Sequence, residues 1–256
     1  MMAAVATLWE REVIRFVRQR SRLVGALVQP VVFWLLLGGG LSASFRPAGA
    51  GGVGYLQYFY PGVLALVLLF TAIFATISTV EDRRAGFLQG VLAAPVPRTA
   101  IVLGQALGGA TLAVLQGLLF LALAPVAGVS LDPARVAAAT GAMALLAFAM
   151  VNLGLFIAWR LESTQGFHAI MNLILIPLWL LSGAFFPADG APTVLRWLMR
   201  ANPLTYGMAV LRRCLYLGDT APAVGLPGLG VSLAVLGGFA LVMLAGTVAL
   251  ARRTTA

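Results

Sequence analysis

Apolar residues in this chain neither alternate nor keep to one helical face. They come in blocks of about twenty residues, the length a helix needs to cross a hydrocarbon core. Short polar or charged stretches separate the blocks. Six membrane helices are predicted, at roughly 24–43, 58–80, 100–125, 135–158, 169–186 and 229–250. Pro30 and the Gly38-Gly39-Gly40 run are expected to bend or loosen the first.

Two stretches depart from this pattern. In 5–23, Arg11, Arg15, Arg18 and Arg22 recur at helical spacing on one face, and Val5, Leu8, Trp9, Val13 and Phe16 fall on another. The reading is an amphipathic helix along the membrane surface, with its arginines toward phosphates or a partner. The plainer alternative is a solvated charged face ahead of the first span. The stretch 187–227 is mixed in polarity and holds Trp197, Arg200, Asn202, Pro203, Tyr206, Arg212 and Arg213. Short or re-entrant helices packed against the membrane body are expected there, before the last span. The fold class is therefore all-α integral membrane, with 1–256 as one transmembrane domain and no internal repeat. Charged residues run through 10–22, so no cleavable leader is expected.

Composition agrees. The 256 residues are 61% hydrophobic and 10% charged, with mean hydropathy +0.98. A soluble domain is about 45–50% apolar and about 25% charged. Net charge is +9, and all 17 basic residues are arginine. A standard P-loop needs a lysine on the nucleotide phosphates, so nucleotide chemistry has to reside on another chain. The positive charge flanks the apolar blocks and reads as a topology signal, not as a nucleic-acid footprint. With six spans, eleven of the 17 arginines fall on one side. That side is expected to be cytoplasmic, with both termini inside and 187–227 outside.

Little else in the sequence carries chemistry. None of the eight acidic residues lies mid-span, which argues against a proton-driven pump and leaves backbone-bound sodium open. One cysteine and one histidine form no metal cluster and no disulfide. His168, at a predicted helix end, reads as an interfacial polar residue; no nucleophile–base dyad is apparent. The most informative stretch is 81–98, EDRRAGFLQGVLAAPVPR. A charged cluster opens it, Phe87, Leu88, Val91 and Leu92 give a short apolar helix face, and Pro95 and Pro97 close it. By its residues alone it is equally an interfacial helix between two spans or a helix that seeks a partner's groove.

The run PGVLALVLLFTAIFATISTVEDRRAGFLQGVLAAPVPRTAIVLGQALGGA, 61–110, resembles the signature region of type-2 ABC exporter permeases, the drug-resistance and nodulation-factor export subunits. The run LSGAFFPADGAPTVLRWLMRANPLTYGMAVLR, 181–212, is similar to their outer segment through Pro187, Asn202-Pro203 and Tyr206. One departure is Gln89, where many relatives carry an acidic residue. The resemblance implies the membrane half of an exporter in a bacterial or archaeal cytoplasmic membrane. Two such subunits, as a homodimer in preference to a heterodimer, would pair with two cytosolic ABC ATPase subunits. ATP and Mg would sit on the ATPase; this chain would hold no cofactor and catalyse nothing itself. The cargo would be a hydrophobic or amphipathic drug, lipid or glycan-lipid, moved out of the cytoplasm or inner leaflet.

By the same resemblance, Glu81, Asp82, Arg83, Arg84, Gly86, Phe87, Leu88, Leu92, Pro95 and Arg98 would couple to the ATPase, with Phe87 and Leu88 in its groove. The 5–23 helix with Arg11, Arg15, Arg18 and Arg22 would carry part of the motion. Gln29, Thr71, Thr76, Ser78, Asn172 and Ser182 would be polar points on the substrate path, or else glue between helices. Gly104, Gly108 and Gly109 read as close helix packing. The alternative function is a membrane enzyme or assembly factor acting on lipid-linked substrates without ATP, with Arg196, Arg200, Arg212 and Arg213 as its pocket. A sensory role on the same fold is a third reading.

Overall fold

The computed structural model describes residues 1–18, 20–41, 54–188, 191–217 and 225–253, and among these leaves the side chains of 17 and 20–27 aside. The described chain is 85% helix with no strand. Eleven α-helices follow one another: α1 Met2–Arg18, α2 Arg20–Leu41, α3 Tyr55–Ala75, α4 Ile77–Arg84, α5 Phe87–Ala93, α6 Arg98–Leu121, α7 Pro133–Ala158, α8 Thr164–Trp179, α9 Thr193–Ala201, α10 Pro203–Leu215 and α11 Leu229–Arg253. Five stretches are long and apolar enough to cross a membrane: Tyr55–Arg84, Arg98–Leu121, Pro133–Ala158, Thr164–Ala184 and Leu229–Arg253. The apolar part of α2, Val28–Leu41, is shorter. The protein is thus an all-helical membrane protein with several apolar helices.

Two boundaries differ from expectation. The amphipathic helix ends at Arg18, not at 23, and Arg22 belongs to α2, its side chain outside the described residues. One straight rod cannot serve both segments, because α1 lies on α6 whereas α2 runs along α3. The third span stops at Leu121, and a 3-10 turn, Ala124–Ala127, follows. Part of the expected outer segment, 189–190 and 218–224, lies outside the described residues.

Glycine lets helices approach. In α6, a Cβ built on Gly104 would stand 2.7 Å from the Leu8 Cβ, and one on Gly108 would stand 2.7 Å from the Glu12 Cβ. The two glycines, one helical turn apart, form the groove in which α1 rests. Gly109 faces Val151 and Ala75 instead, so the third-span glycines do pack helices closely, against two different neighbours. Gly154 of α7 takes Thr76, where α3 bends into α4, and the Thr76 hydroxyl caps the bend by donating to the Ile73 carbonyl at 2.7 Å.

The end of α8 shows why the 202–212 sequence has its polar residues. After Trp179 the helix widens into a π turn, Leu180–Ala184, where Gly183 has φ 82, a left-handed backbone that favours glycine. Such a break frees carbonyls, which inside a membrane body need new donors. Three residues in or at the start of α10 supply them. Asn202 Nδ2 donates to Leu178 O at 2.6 Å, Thr205 Oγ1 to Leu181 O at 3.2 Å, and Arg212 Nη2 to Gly183 O at 2.9 Å. Arg212 is 1% exposed, and its guanidinium lies 4.2 Å over the Tyr58 ring. Asn202 also caps α10, accepting from Leu204 N, and Pro203 opens the helix where no N–H partner is required. The Tyr206 hydroxyl donates to Arg200 O at 2.8 Å and fixes α9 against α10. Pro187 lies in the turn just past the break.

Two stability measurements test this packing, each read as a thermal midpoint in detergent. Gly108→Val is expected to cost about 1–3 kcal/mol by overpacking, whereas Gly90→Ala, with open space around it in α5, is expected to be neutral or to stabilise by up to about 1 kcal/mol. Arg212→Met is expected to cost about 2 kcal/mol, because the Gly183 carbonyl loses a charged donor.

Candidate functional site

Residues expected at the coupling loop gather at one end of the bundle, and most bind their own chain. Asp82, 5% exposed, accepts Arg11 Nη1 at 2.6 Å, Arg11 Nη2 at 2.7 Å and Arg15 Nη1 at 3.0 Å. Arg15 Nη2 also pairs with Glu81. The arginine face of α1 thus turns inward onto α4 at these two positions; Arg18 is exposed. The forked Arg11–Asp82 pair is the strong form of such a contact, and it raises the Arg11 pKa above its ordinary value. Glu12 lies beneath, 7% exposed against Gly108, and burial raises its carboxyl pKa. Trp9 Nε1 donates to Thr111 Oγ1 at 3.0 Å and adds a second tie from α1 to α6.

Arg83 also turns inward. Its guanidinium donates to Trp159 O at 2.9 Å and Leu161 O at 3.2 Å, which caps the C-terminal end of α7. Gly86, at φ 75, makes the left-handed turn from α4 into α5. Helix α5 is two-sided. Leu88 and Leu92 are 2% and 5% exposed in the protein's own core, which corrects the expected place of Leu88 in a partner's groove. They lie four residues apart and form the seat of α5, so only the opposite side is free. That side shows Phe87, Gln89 and Ala93, and Arg84 at the end of α4 and Pro95 beyond α5 are exposed beside it. Phe87 is 41% exposed, with the Arg11 guanidinium 3.9 Å from its ring centre. Arg98 Nη1 closes α5 by donating to Leu92 O at 2.7 Å.

A cavity of about 580 Å³ lies between α2, α3 and α8, with Gln116 of α6 at its wall and Phe16 of α1 at its edge. The volume is within the range of about 300–1,000 Å³ that suits small amphipathic ligands. Thr71 and Gln29, both expected on the path, line it, as do Phe33, Phe70, Phe74, Trp179 and His168. Toward the Tyr55 end the cavity is closed by aromatic rings. Phe33, Phe59, Trp179 and Phe185 meet at centroid distances of 5.3–6.2 Å, and Tyr55 stacks on Phe59 at 5.5 Å.

The other polar candidates lie elsewhere. Thr76, Ser78 and Ser182 are buried and donate to carbonyls of their own helices, at Ile73, Ala75 and Trp179. Each of these bonds is local, to the carbonyl three residues back, so none of the three bonds joins two packed helices; within that set a tie between helices is Thr71 to Gln116. Asn172 is exposed on the outside of α8. Sequence reasoning missed Gln116, although it is one of only two glutamines in an otherwise largely apolar block, with Gln105. It grouped Arg212 with Arg196, Arg200 and Arg213, and no pattern shows that this one is buried. The four-arginine pocket is not one site: Arg212 is buried, Arg213 donates to Ala209 O and Leu226 O, and Arg196 and Arg200 are exposed on α9.

Comparison with known proteins agrees with this geometry. The chain is 28% identical over 207 residues to transport permease ycf38 of Cyanophora paradoxa, covering 79% of this chain and 71% of that protein. It is 28% identical over 219 residues to nodulation protein J of Rhizobium leguminosarum bv. trifolii, covering 80% and 78%, and 27% identical over 210 residues to nodulation protein J of Rhizobium meliloti, covering 80% and 78%. The ABC-2 type transporter profile matches residues 3–216, from α1 to the end of α10. A match of that extent shows that this chain belongs to the ABC-2 type transporter family.

Proposed function

We propose that this chain is the transmembrane subunit of an ATP-driven exporter that moves a hydrophobic or amphipathic substrate out of the cytoplasm or inner leaflet. The observation that carries the proposal is a single rod. The 30-residue stretch Tyr55–Arg84 bears the cavity wall at Leu66–Ala75 and the ion-paired platform at Glu81 and Asp82. A push on α5 and α1 therefore reaches the cavity with little slack, because α1 is tied to the rod by two arginines. The exposed side of α5, with Arg84, Phe87 and Gln89, is the surface offered to the ATPase. Glu81, Asp82 and Arg83 set the stiffness of that surface.

In this reading α2 is the sixth span, α9 and α10 form the re-entrant pair, and the platform faces the cytoplasm with both termini. Two copies, as a homodimer, work with two ATPase subunits, which bind ATP and Mg. The membrane is the bacterial or archaeal cytoplasmic one. Membership in a transport family and a relative named as a transport permease support the direction of this reading.

The test is co-purification with a P-loop ATPase, whose gene is expected beside that of this chain, followed by reconstitution in vesicles. A complex with ATP-dependent transport is expected, and a Gln89→Cys label is expected to react from the ATPase side and to be shielded by it. Absence of an ATPase under gentle extraction, or labelling from the opposite side, overturns the reading. Asp82→Asn is expected to lower stability by about 2 kcal/mol through weakened charge-assisted bonds, and to reduce transport more than ATP hydrolysis. Glu12→Gln is expected to leave the thermal midpoint near neutral pH unchanged or higher. The sign follows from the raised carboxyl pKa: protonation favours the fold, so ionised Glu12 costs stability above the pKa of the unfolded chain.

A further inference from the structure

The cavity wall has one unfinished polar group. Gln116 is 1% exposed. Its Oε1 accepts the Thr71 hydroxyl, and its Nε2 has no hydrogen-bond partner among the described residues. Buried amide N–H groups are nearly always paired, and in a low-dielectric wall an unpaired donor strongly favours any acceptor that reaches it. Neighbouring polar groups do not compete for it. The Thr71 hydroxyl is already used, and Trp179 Nε1 donates to Gly62 O at 2.8 Å. The rest of the wall near it is aromatic and aliphatic.

Charge is the second part of the evidence. This chain carries 17 arginines, yet no arginine and no carboxylate is among the described residues lining the cavity. The only titratable lining group among them is His168, exposed at the mouth with the Phe74 ring 5.3 Å away. An ionic head group entering here would lose water with no counter-charge among the described lining residues to meet it. A neutral hydroxyl or carbonyl oxygen would find the free Gln116 donor, and its apolar body would rest on Phe33, Phe70 and Trp179.

We propose that this cavity binds an uncharged amphipath, recognised by a hydroxyl or carbonyl oxygen that accepts from Gln116 Nε2. Calling the occupant cargo rests on the exporter reading; the binding itself requires neither ATP nor a partner. Thr71 is a positioning residue that holds the amide by its oxygen and leaves Nε2 as the end without a partner among the described residues.

The experiment uses the full chain in lipid nanodiscs and three photoreactive probes with the same alkyl chain: a glucoside, a phosphate and a trimethylammonium. The glucoside is expected to label α3, α6 or α8 at the cavity and to bind at least about tenfold more tightly than either charged probe. Gln116→Leu is expected to weaken the glucoside about tenfold and to leave the charged probes unchanged. Equal binding of all three probes by the unmodified chain overturns the proposal. So does labelling outside the cavity, or unchanged glucoside affinity in a Gln116→Leu protein of normal thermal midpoint. Should that variant not fold, Thr71→Val and the head-group comparison on the unmodified chain decide the matter. Selective glucoside binding by a chain that co-purifies with no ATPase under gentle extraction would sink the exporter reading and leave this one standing; an ATPase complex whose chain ignores head-group charge would do the reverse.

Discussion

Asp82 accepts both terminal nitrogens of Arg11 and one of Arg15, and the position of α1 follows from that. A carboxylate 5% exposed is costly unless charged donors surround it. The two arginines meet that demand only when α1 lies across α6, within reach of the end of α4. Gly104 and Gly108 make the approach close enough, and Trp9 fastens it. The first helix is therefore a strut between two spans, with Phe16 reaching the edge of the cavity.

The opposite end of the bundle is organised by an equally local demand. A π turn with a left-handed glycine leaves α8 carbonyls without their helical partners. Asn202, Thr205 and Arg212 each take one of them. The same residues bring α10 against α3 and α7, so a break in one helix becomes the attachment of another. The aromatic rings that close the cavity lie beside this junction, since Phe185 follows the break directly. Both ends of the cavity are thus held by polar contacts that a bilayer makes stringent.

Between these ends the Tyr55–Arg84 stretch acts as one lever, bent at Thr76 and capped there by its hydroxyl. Gly154 accommodates the bend. Small residues where helices cross, satisfied carbonyls where helices break, and charge pairs where the chain leaves the apolar body form one consistent physical scheme. In the cavity wall that scheme leaves the Gln116 amide donor without a partner among the described residues.

Much of this was legible from residues alone. Block length and apolarity dictate membrane helices, because a hydrocarbon core sets the length and tolerates no unpaired backbone. The one-sided arginines of 5–23 dictate an amphipathic helix, and the absence of lysine removes a standard P-loop. What α1 touches was not legible: a charged face pairs with water, phosphate or carboxylate equally well until another helix is placed beside it. Leu88 and Phe87 are adjacent and both apolar, yet only the seating of α5 decides that one is buried and the other free. Arg212 reads like its neighbours Arg200 and Arg213, and only the broken end of α8 gives it a buried carbonyl to bind. Periodicity and composition are properties of one segment, so the sequence determined the segments. Pairings of side chains far apart in the chain depend on how those segments cross, so tertiary structure alone decided which polar groups are joined and that the Gln116 amide in the cavity wall keeps a donor without a partner among the described residues.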